Sequence, residues 1–223
     1  MTTVTSVLRY PGGKSKALKF ILPNILKCKF KEFREPFVGG GSVFIAVKQK
    51  TKKNVKFKIN DLNKDVFCFW EVLKNQGYLF YNEVSRVKIE EKNGKELFYR
   101  LKAIDSNELS NFDRAIKFFV LNRITFSGGF ESSGYSEESF HKRFTPSIIE
   151  KLLPLHDLIQ KIEITNKDYF SLLQQDNKDA FIFLDPPYYY STESKLYGKN
   201  GIFHTTFDHK KFAQNMKYLS KKN

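Results

Sequence analysis

Apolar and polar positions fall into three regimes along the chain. Over residues 14–28 (KSKALKFILPNILKC), Leu18, Ile21, Leu22, Ile25 and Leu26 recur like one helical face, and Pro23 predicts a break or kink inside it. EFREPF then reads as a strand, Val38-Gly39-Gly40-Gly41-Ser42 as a glycine turn, and SVFIAVKQK as a helix opening at about Ser42. VKFKIN at 55–60 alternates as a strand and stops at Asp61. Residues 33–61 therefore make a strand–helix–strand unit, which favours a parallel, doubly wound sheet. Residues 62–155 differ. They are charged, mainly helical in pattern (DVFCFWEVLKN, FDRAIKFFVLNRI), and carry a Ser/Gly/Glu-rich stretch from 127 to 139 that predicts an exposed loop or hairpin. The strand–helix rhythm then resumes with KIEIT at 161–165, a short helix at about 168–175, and AFIFLDPPYYY at 180–190. AFIFL is apolar throughout, as expected for a central strand buried on both faces. After it, Asp208 stands as the N-cap of a helix with Phe212, Met216 and Leu219 on one side.

Composition narrows the class. With 223 residues, 41% of them hydrophobic, the chain can bury one sizeable core, or one core with an inserted lobe. Its 23 Phe and 11 Tyr exclude a disordered chain. Cys28 and Cys68 form no CxxC pattern, which excludes a disulfide scaffold or zinc ribbon and suits a reducing cytoplasm. No signal-type apolar region opens the chain, and no apolar run approaches the ~18–20 residues that cross a bilayer. A cytoplasmic protein with no membrane partner is expected.

Charge changes the picture more. Lys plus Arg total 38 against 24 acids, a net +14 that suggests a polyanionic partner. The excess is uneven: residues 1–61 hold 14 basic and 3 acidic side chains, whereas residues 62–155 hold 14 and 13. Five of the seven arginines (Arg86, Arg100, Arg114, Arg123, Arg143) nevertheless lie in the middle segment. Arginine's planar fork reads guanine edges, while lysine is chiefly a point charge for phosphate. The middle segment thus has the composition of a reading lobe. The N-terminal segment has that of a phosphate-attracting surface beside the glycine turn.

Three motifs carry candidate chemistry. Glu35-Pro36-Phe37-Val38-Gly39-Gly40-Gly41-Ser42 lets backbone pass close to a ligand, and Asp61, 20 residues after Gly41, is placed to accept ribose hydroxyls of a nucleoside. Arg9-Tyr10-Pro11-Gly12-Gly13-Lys14-Ser15 is not a phosphate-binding P-loop, because Leu8 stands where that motif needs glycine. Tyr10 and Lys14 can instead flank a carboxylate or an adenine ring. The sharpest motif is Asp185-Pro186-Pro187-Tyr188 at the exit of AFIFL. A carboxylate, carbonyls held outward by proline, and an aromatic ring together suit an exocyclic amine on a flat base. The four histidines (His141, His156, His204, His209) show no metal-ligand spacing and read as surface or phosphate-facing, so no metal is expected.

Arg9 to Lys14, EPFVGGGSVF, Asp61, Asn166-Lys167-Asp168-Tyr169 and DPPY, in that order, resemble the Dam-type (D12 class) DNA adenine N6-methyltransferases. The resemblance covers the chain apart from its middle segment. It implies an α/β fold, a doubly wound Rossmann-like methyltransferase sheet with a mainly helical inserted target-recognition lobe. Residues 1–61 and 156–223 would form the catalytic domain, and 62–155 the lobe. It further implies S-adenosylmethionine as cofactor, held by Tyr10, Lys14, Phe37, Gly39, Gly41, Asp61, Asp168, Tyr169 and Asp185. Asp185, Pro186, Pro187 and Tyr188 would grip a flipped adenine of double-stranded DNA, and Asn122, Arg123 and Arg143 would contact the duplex. Two departures qualify these expectations. The Ser/Gly/Glu run after Asn122-Arg123 differs from the GATC-reading members, so the target sequence stays open. In that family the sheet also continues after the helix at about 208–220, whereas this chain stops at Lys221-Lys222-Asn223. A C-terminally incomplete domain with an exposed sheet edge follows as an expectation, with a cognate restriction endonuclease or a C-terminal polypeptide as further partners. The alternatives are an inactive DNA-binding remnant and an N4-cytosine DNA methyltransferase.

Overall fold

Four short parallel strands fix where everything else goes. The computed structural model describes residues 3–128, 133–188 and 207–221. Strands β1 (Glu32–Glu35), β2 (Lys56–Asn60), β3 (Ile162–Thr165) and β4 (Ala180–Ile182) lie in the order β3-β2-β1-β4, all parallel. Phe33 at the centre of the sheet packs its ring against Phe57 on one neighbour and Phe181 on the other, at 5.5 and 6.0 Å. Helix α1 (Leu18–Lys27) precedes β1, and α2 (Ser42–Lys50) crosses from β1 to β2, as the strand–helix–strand pattern requires. Pro23 does not break α1: the helix is continuous through it, with Ile25 buried one turn from its end. The proline costs the helix one backbone hydrogen bond, and packing against α2 holds the element together.

The middle segment is helical, as its pattern implied. It holds α3 (Lys64–Glu90), α4 (Gly94–Ala103), α5 (Asn111–Ile124), α6 (Glu137–Lys142), α7 (Pro146–Glu150) and α8 (Leu152–Leu158). The long α3 kinks at Gln76, whose φ of −136° is not helical. His156 on α8 sits against that kink, its Nδ1 bonded to the Leu73 carbonyl at 2.7 Å. This histidine is therefore half-buried and engaged with the α3 backbone, while His204 lies outside the described residues. Phe69 on α3 stacks on Phe119 of α5 at 5.9 Å, and Trp70 meets Phe44 of α2 edge-on at 5.1 Å. One hydrophobic core thus runs from the sheet's helices into the lobe. After α5, Thr125 forms an antiparallel bridge with Tyr135, and residues 129–132 lie outside the described residues. Helix α6 already begins at Glu137, so the expected loop is shorter than its composition suggested. Helix α9 (Phe170–Leu173) joins β3 to β4, and α10 (His209–Ser220) starts from Asp208, whose side chain accepts Lys211 N–H at 2.8 Å.

Two expectations are corrected. AFIFL was expected to be central and buried on both faces, yet β4 is half-buried and pairs only with β1 among the described residues. Its outer side has no described strand to cover it. The N-terminal charge also does not collect at the glycine turn. Many of its lysines precede β1 and β2, at the edge where the strands begin, and the glycine turn follows the other edge.

Candidate active site

Every strand ends by delivering a polar or aromatic group to one cavity. It encloses about 260 Å³ and is lined from Tyr10 to Lys14, Glu35 to Val43, Asn60 to Asn63, and by Asp168, Tyr169 and Asp185 to Pro187. Parallel sheets open their binding crevice at this carboxyl edge. After β1, Glu35 turns inward and its Oε2 accepts the Phe44 N–H of α2 at 2.9 Å, closing the helix start from the strand end. Burial raises its carboxyl well above the usual carboxylate range, more than that N–H lowers it, and Asp185 and Asp61 add to the rise. Gly41 ends the turn at φ +71°, where a Cβ would stand 2.5 Å from Phe44 and 2.6 Å from Trp70. Only glycine fits there.

After β2, Asp61 faces the same turn. Its Oδ2 accepts Gly39 N–H at 2.8 Å and its Oδ1 accepts Asn63 N–H at 2.9 Å. Each oxygen keeps a lone pair for a ligand hydroxyl. Burial lifts this carboxyl to about 6 against those two N–H bonds. Asp168, after β3, holds the Phe170 N–H at 2.9 Å in a tight turn, and Tyr169 beside it stacks on Phe37 at 5.1 Å. Phe207 and Phe212 close the same aromatic wall at 5.9 and 5.4 Å from Tyr169.

After β4 comes the proline motif. Asp185 is paired with Lys14 Nζ, which also donates to the Gly12 carbonyl at 2.8 Å and to Tyr188 Oη at 2.6 Å. Burial pushes the Lys14 ammonium down, but its bonds to Asp185 and Tyr188 outweigh that and leave it raised. Lys14 therefore touches the DPPY carboxylate itself, a position its spacing did not predict. The cavity gathers Tyr10, Lys14, Phe37, Gly39, Gly41, Asp61, Asp168, Tyr169, Asp185, Pro186 and Pro187, and Tyr188 stands at its rim through Lys14. Among the described residues no three His, Cys, Asp or Glu side chains group to hold a metal ion.

The residues expected to contact DNA are placed differently. Asn122 and Arg123 are buried, at 1% and 4% exposure. Asn122 Oδ1 accepts Arg9 N–H at 2.9 Å and its Nδ2 donates to the Arg9 carbonyl at 2.6 Å. Arg123 donates to the Val7 carbonyl at 2.9 Å and to the Arg143 carbonyl at 2.8 Å. Burial, then Arg9 and Arg143, bring its guanidinium down to about 10. Both side chains therefore tie the N-terminal segment to α5 and are spent on backbone groups in this structure. Arg143 is exposed and open to a ligand. Three of the other middle arginines are also engaged within the protein: Arg86 with Glu83 and Glu90, Arg100 with Glu91, and Arg114 with Asp65.

Sequence reasoning passed over the role of Glu35, although it opens the glycine motif, and over Phe207, Asp208 and Lys211, which complete the cavity wall. The strand-end position of Glu35 was a usable signal. The last three come from the far end of the chain, and no local pattern announces them.

A family model described as D12 class N6 adenine-specific DNA methyltransferase matches residues 10–223. The chain is 27% identical over 201 residues to a Type II methyltransferase of Methanocaldococcus jannaschii, covering 83% of this chain and 69% of that protein. It is 25% identical over 184 residues to a DNA adenine methylase of Vibrio cholerae, covering 81% of this chain and 64% of the relative. To the modification methylase StsI of Streptococcus sanguinis it is 28% identical over 214 residues, covering 89% of this chain and 31% of the relative. The chain thus spans about two thirds of the length of the first two relatives and a third of the last.

Proposed function

This chain belongs to the D12 class N6 adenine-specific DNA methyltransferases, and from that membership we propose that it methylates N6 of adenine at a specific site in duplex DNA, with S-adenosylmethionine as donor. The family selects adenine N6 over cytosine N4. The observation that carries the reading is the meeting of Asp61, the glycine turn and Asp185-Pro186-Pro187 in one cavity.

The residues fit a nucleoside donor. Asp61 accepts its ribose hydroxyls, the Phe37–Gly41 turn passes beneath it, and Tyr10, Asp168 and Tyr169 receive its adenine. S-adenosylmethionine supplies a methyl group on a sulfonium. The protein's part is to make an aromatic amine nucleophilic, since its lone pair is delocalised into the ring. The Asp185 carboxylate and the Pro186 carbonyl accept the two N–H bonds, which favours the lone pair on nitrogen. Tyr188, half-exposed at the rim, stacks on the base once it has left the duplex, at a cost of a few kcal/mol for unstacking. The incoming amine takes over the hydrogen bond that Lys14 makes to Asp185 here. Asn122 and Arg123 act by holding Arg9 in place, and Arg143 contacts the duplex from residues 62–155, the target-recognition lobe. No described helix is long and apolar enough to cross a membrane, and a cytoplasmic location beside DNA belongs to the same proposal.

Labelled methyl transfer to defined duplexes, with equilibrium binding of S-adenosylmethionine, tests it. Asp185→Ala is expected to keep most cofactor binding and lose methyl transfer more than a hundredfold. Asp61→Ala is expected to weaken cofactor binding first. Equal loss of cofactor binding in both variants would overturn this division of roles, and absence of binding in the unmutated chain would favour an inactive remnant.

A further inference from the structure

The edge where the strands begin carries a row of exposed lysines, and nothing in the methyl-transfer site uses it. Lys29 and Lys31 precede β1, Lys52 and Lys53 precede β2, Lys161 precedes β3 and Lys178 precedes β4, and all six are exposed. The sheet sets them side by side: Lys56 N–H donates to the Lys31 carbonyl at 2.9 Å, and Lys31 and Glu32 N–H both donate to the Asp179 carbonyl at the head of β4. Neighbouring strands lie about 4.8 Å apart, so these ammonium groups ride on one rigid row. The acids of this edge do not balance them. Asp179 pairs with Lys31 Nζ at 2.7 Å, Glu32 is taken by Arg34 and by Lys58 at 3.3 Å, Glu163 at the start of β3 lies 4.0 Å from Lys58, and Asp176 stands before β4. Crowding is visible nearby, where burial and then the charge of Lys161 hold the Lys48 ammonium below its ordinary value.

The methyl-transfer cavity opens at the opposite edge, a full strand length of roughly 15 Å away. Duplex DNA is stiff, with a persistence length of about 150 base pairs, so the segment that delivers a base to the cavity does not bend round to the lysine row. We propose that the strand-start edge is a second, sequence-indifferent surface that holds the phosphate backbone of a different duplex segment. The ligand class rests on the DNA-methyltransferase reading, and the surface is separate from that site. Such a protein is handed from one stretch of DNA to another without first letting go.

Two short duplexes of unrelated sequence, one carrying a donor dye and one an acceptor, are mixed with limiting full-length protein at low salt. Energy transfer between them is expected with the unmutated chain. It should fall at least tenfold in the variant Lys29→Gln, Lys52→Gln, Lys53→Gln, Lys161→Gln, and persist when the same four positions are arginine. Binding of a second duplex to the one-duplex complex should also carry a salt slope that is shallower by about 3–4 in the glutamine variant, at ~0.9 per lost phosphate contact. Equal transfer in the glutamine variant, or none in the unmutated chain, overturns the proposal. Binding of the unmutated chain to phosphatidylserine vesicles without duplex bridging overturns it in favour of a lipid surface. Loss of bridging in the glutamine variant, with no methyl transfer by either protein, would sustain the surface and sink the methyl-transfer reading instead.

Discussion

Asp61 shows how one buried carboxyl sets a pH dependence. Its ordinary value is near 4, and burial lifts it to about 6 although two backbone N–H groups stabilise the ionised form. Ribose hydroxyls are bound best by the carboxylate, so affinity for S-adenosylmethionine is expected to fall as pH drops through 6. Equilibrium binding at pH 5 and 7.5 checks this, and a flat profile would count against Asp61 as the ribose acceptor. The folded state holds this proton more tightly than the unfolded chain. Its contribution to stability therefore runs the other way, declining as pH rises from about 4 to about 6. At this scale the cavity lining was largely legible: spacing and residue type pointed to Asp61 and to Asp185-Pro186-Pro187, and the resemblance added Asp168 and Tyr169. Arg123 was not legible. A guanidinium suggests a surface, and only the folded chain reveals the Val7 and Arg143 carbonyls that receive it.

Among the elements, α3 is the one whose shape depends on another helix. The kink at Gln76 brings Gly77 so close to His156 that a Cβ on Gly77 would lie 2.3 Å from Nδ1. Gly77→Ala is expected to destabilise the protein by about 1–3 kcal/mol through overpacking. In the His156→Ala background the same change should cost much less, giving a coupling above about 1 kcal/mol in urea denaturation. Additive effects would place the strain elsewhere. Strand and helix periods made 33–61 readable because each residue there answers to its own neighbours and to one buried face. The kink was not readable, since DVFCFWEVLKN carries helical spacing up to the break and the side chain packed against it, His156, lies about 80 residues away. The half-burial of β4 among the described residues was hidden for a similar reason. An apolar run records the strand's own composition and not the number of strands beside it.

Over the whole molecule, the net +14 is uneven: lysines gather at the edge where the strands begin, while Arg86, Arg100 and Arg114 of the middle segment are paired with acids. Chain order alone placed the lysines beside the glycine turn, and the parallel sheet sent many of them to the far side. The two segments nevertheless share one core, joined where the Trp70 indole N–H donates to the Gly39 carbonyl at 3.0 Å. Cofactor at a hundred times its Kd is expected to add about 2.7 kcal/mol to a single unfolding transition seen alike by far-UV circular dichroism and tryptophan emission. Separate transitions would mean that sheet and lobe unfold independently. Trp70 is the only tryptophan in the chain, and its indole touches the very turn that Asp61 also holds. The protein therefore carries its own optical reporter at the cavity floor. Emission intensity or wavelength should follow occupancy of that floor without any label, and any compound that settles there could be read from the colour of a single ring.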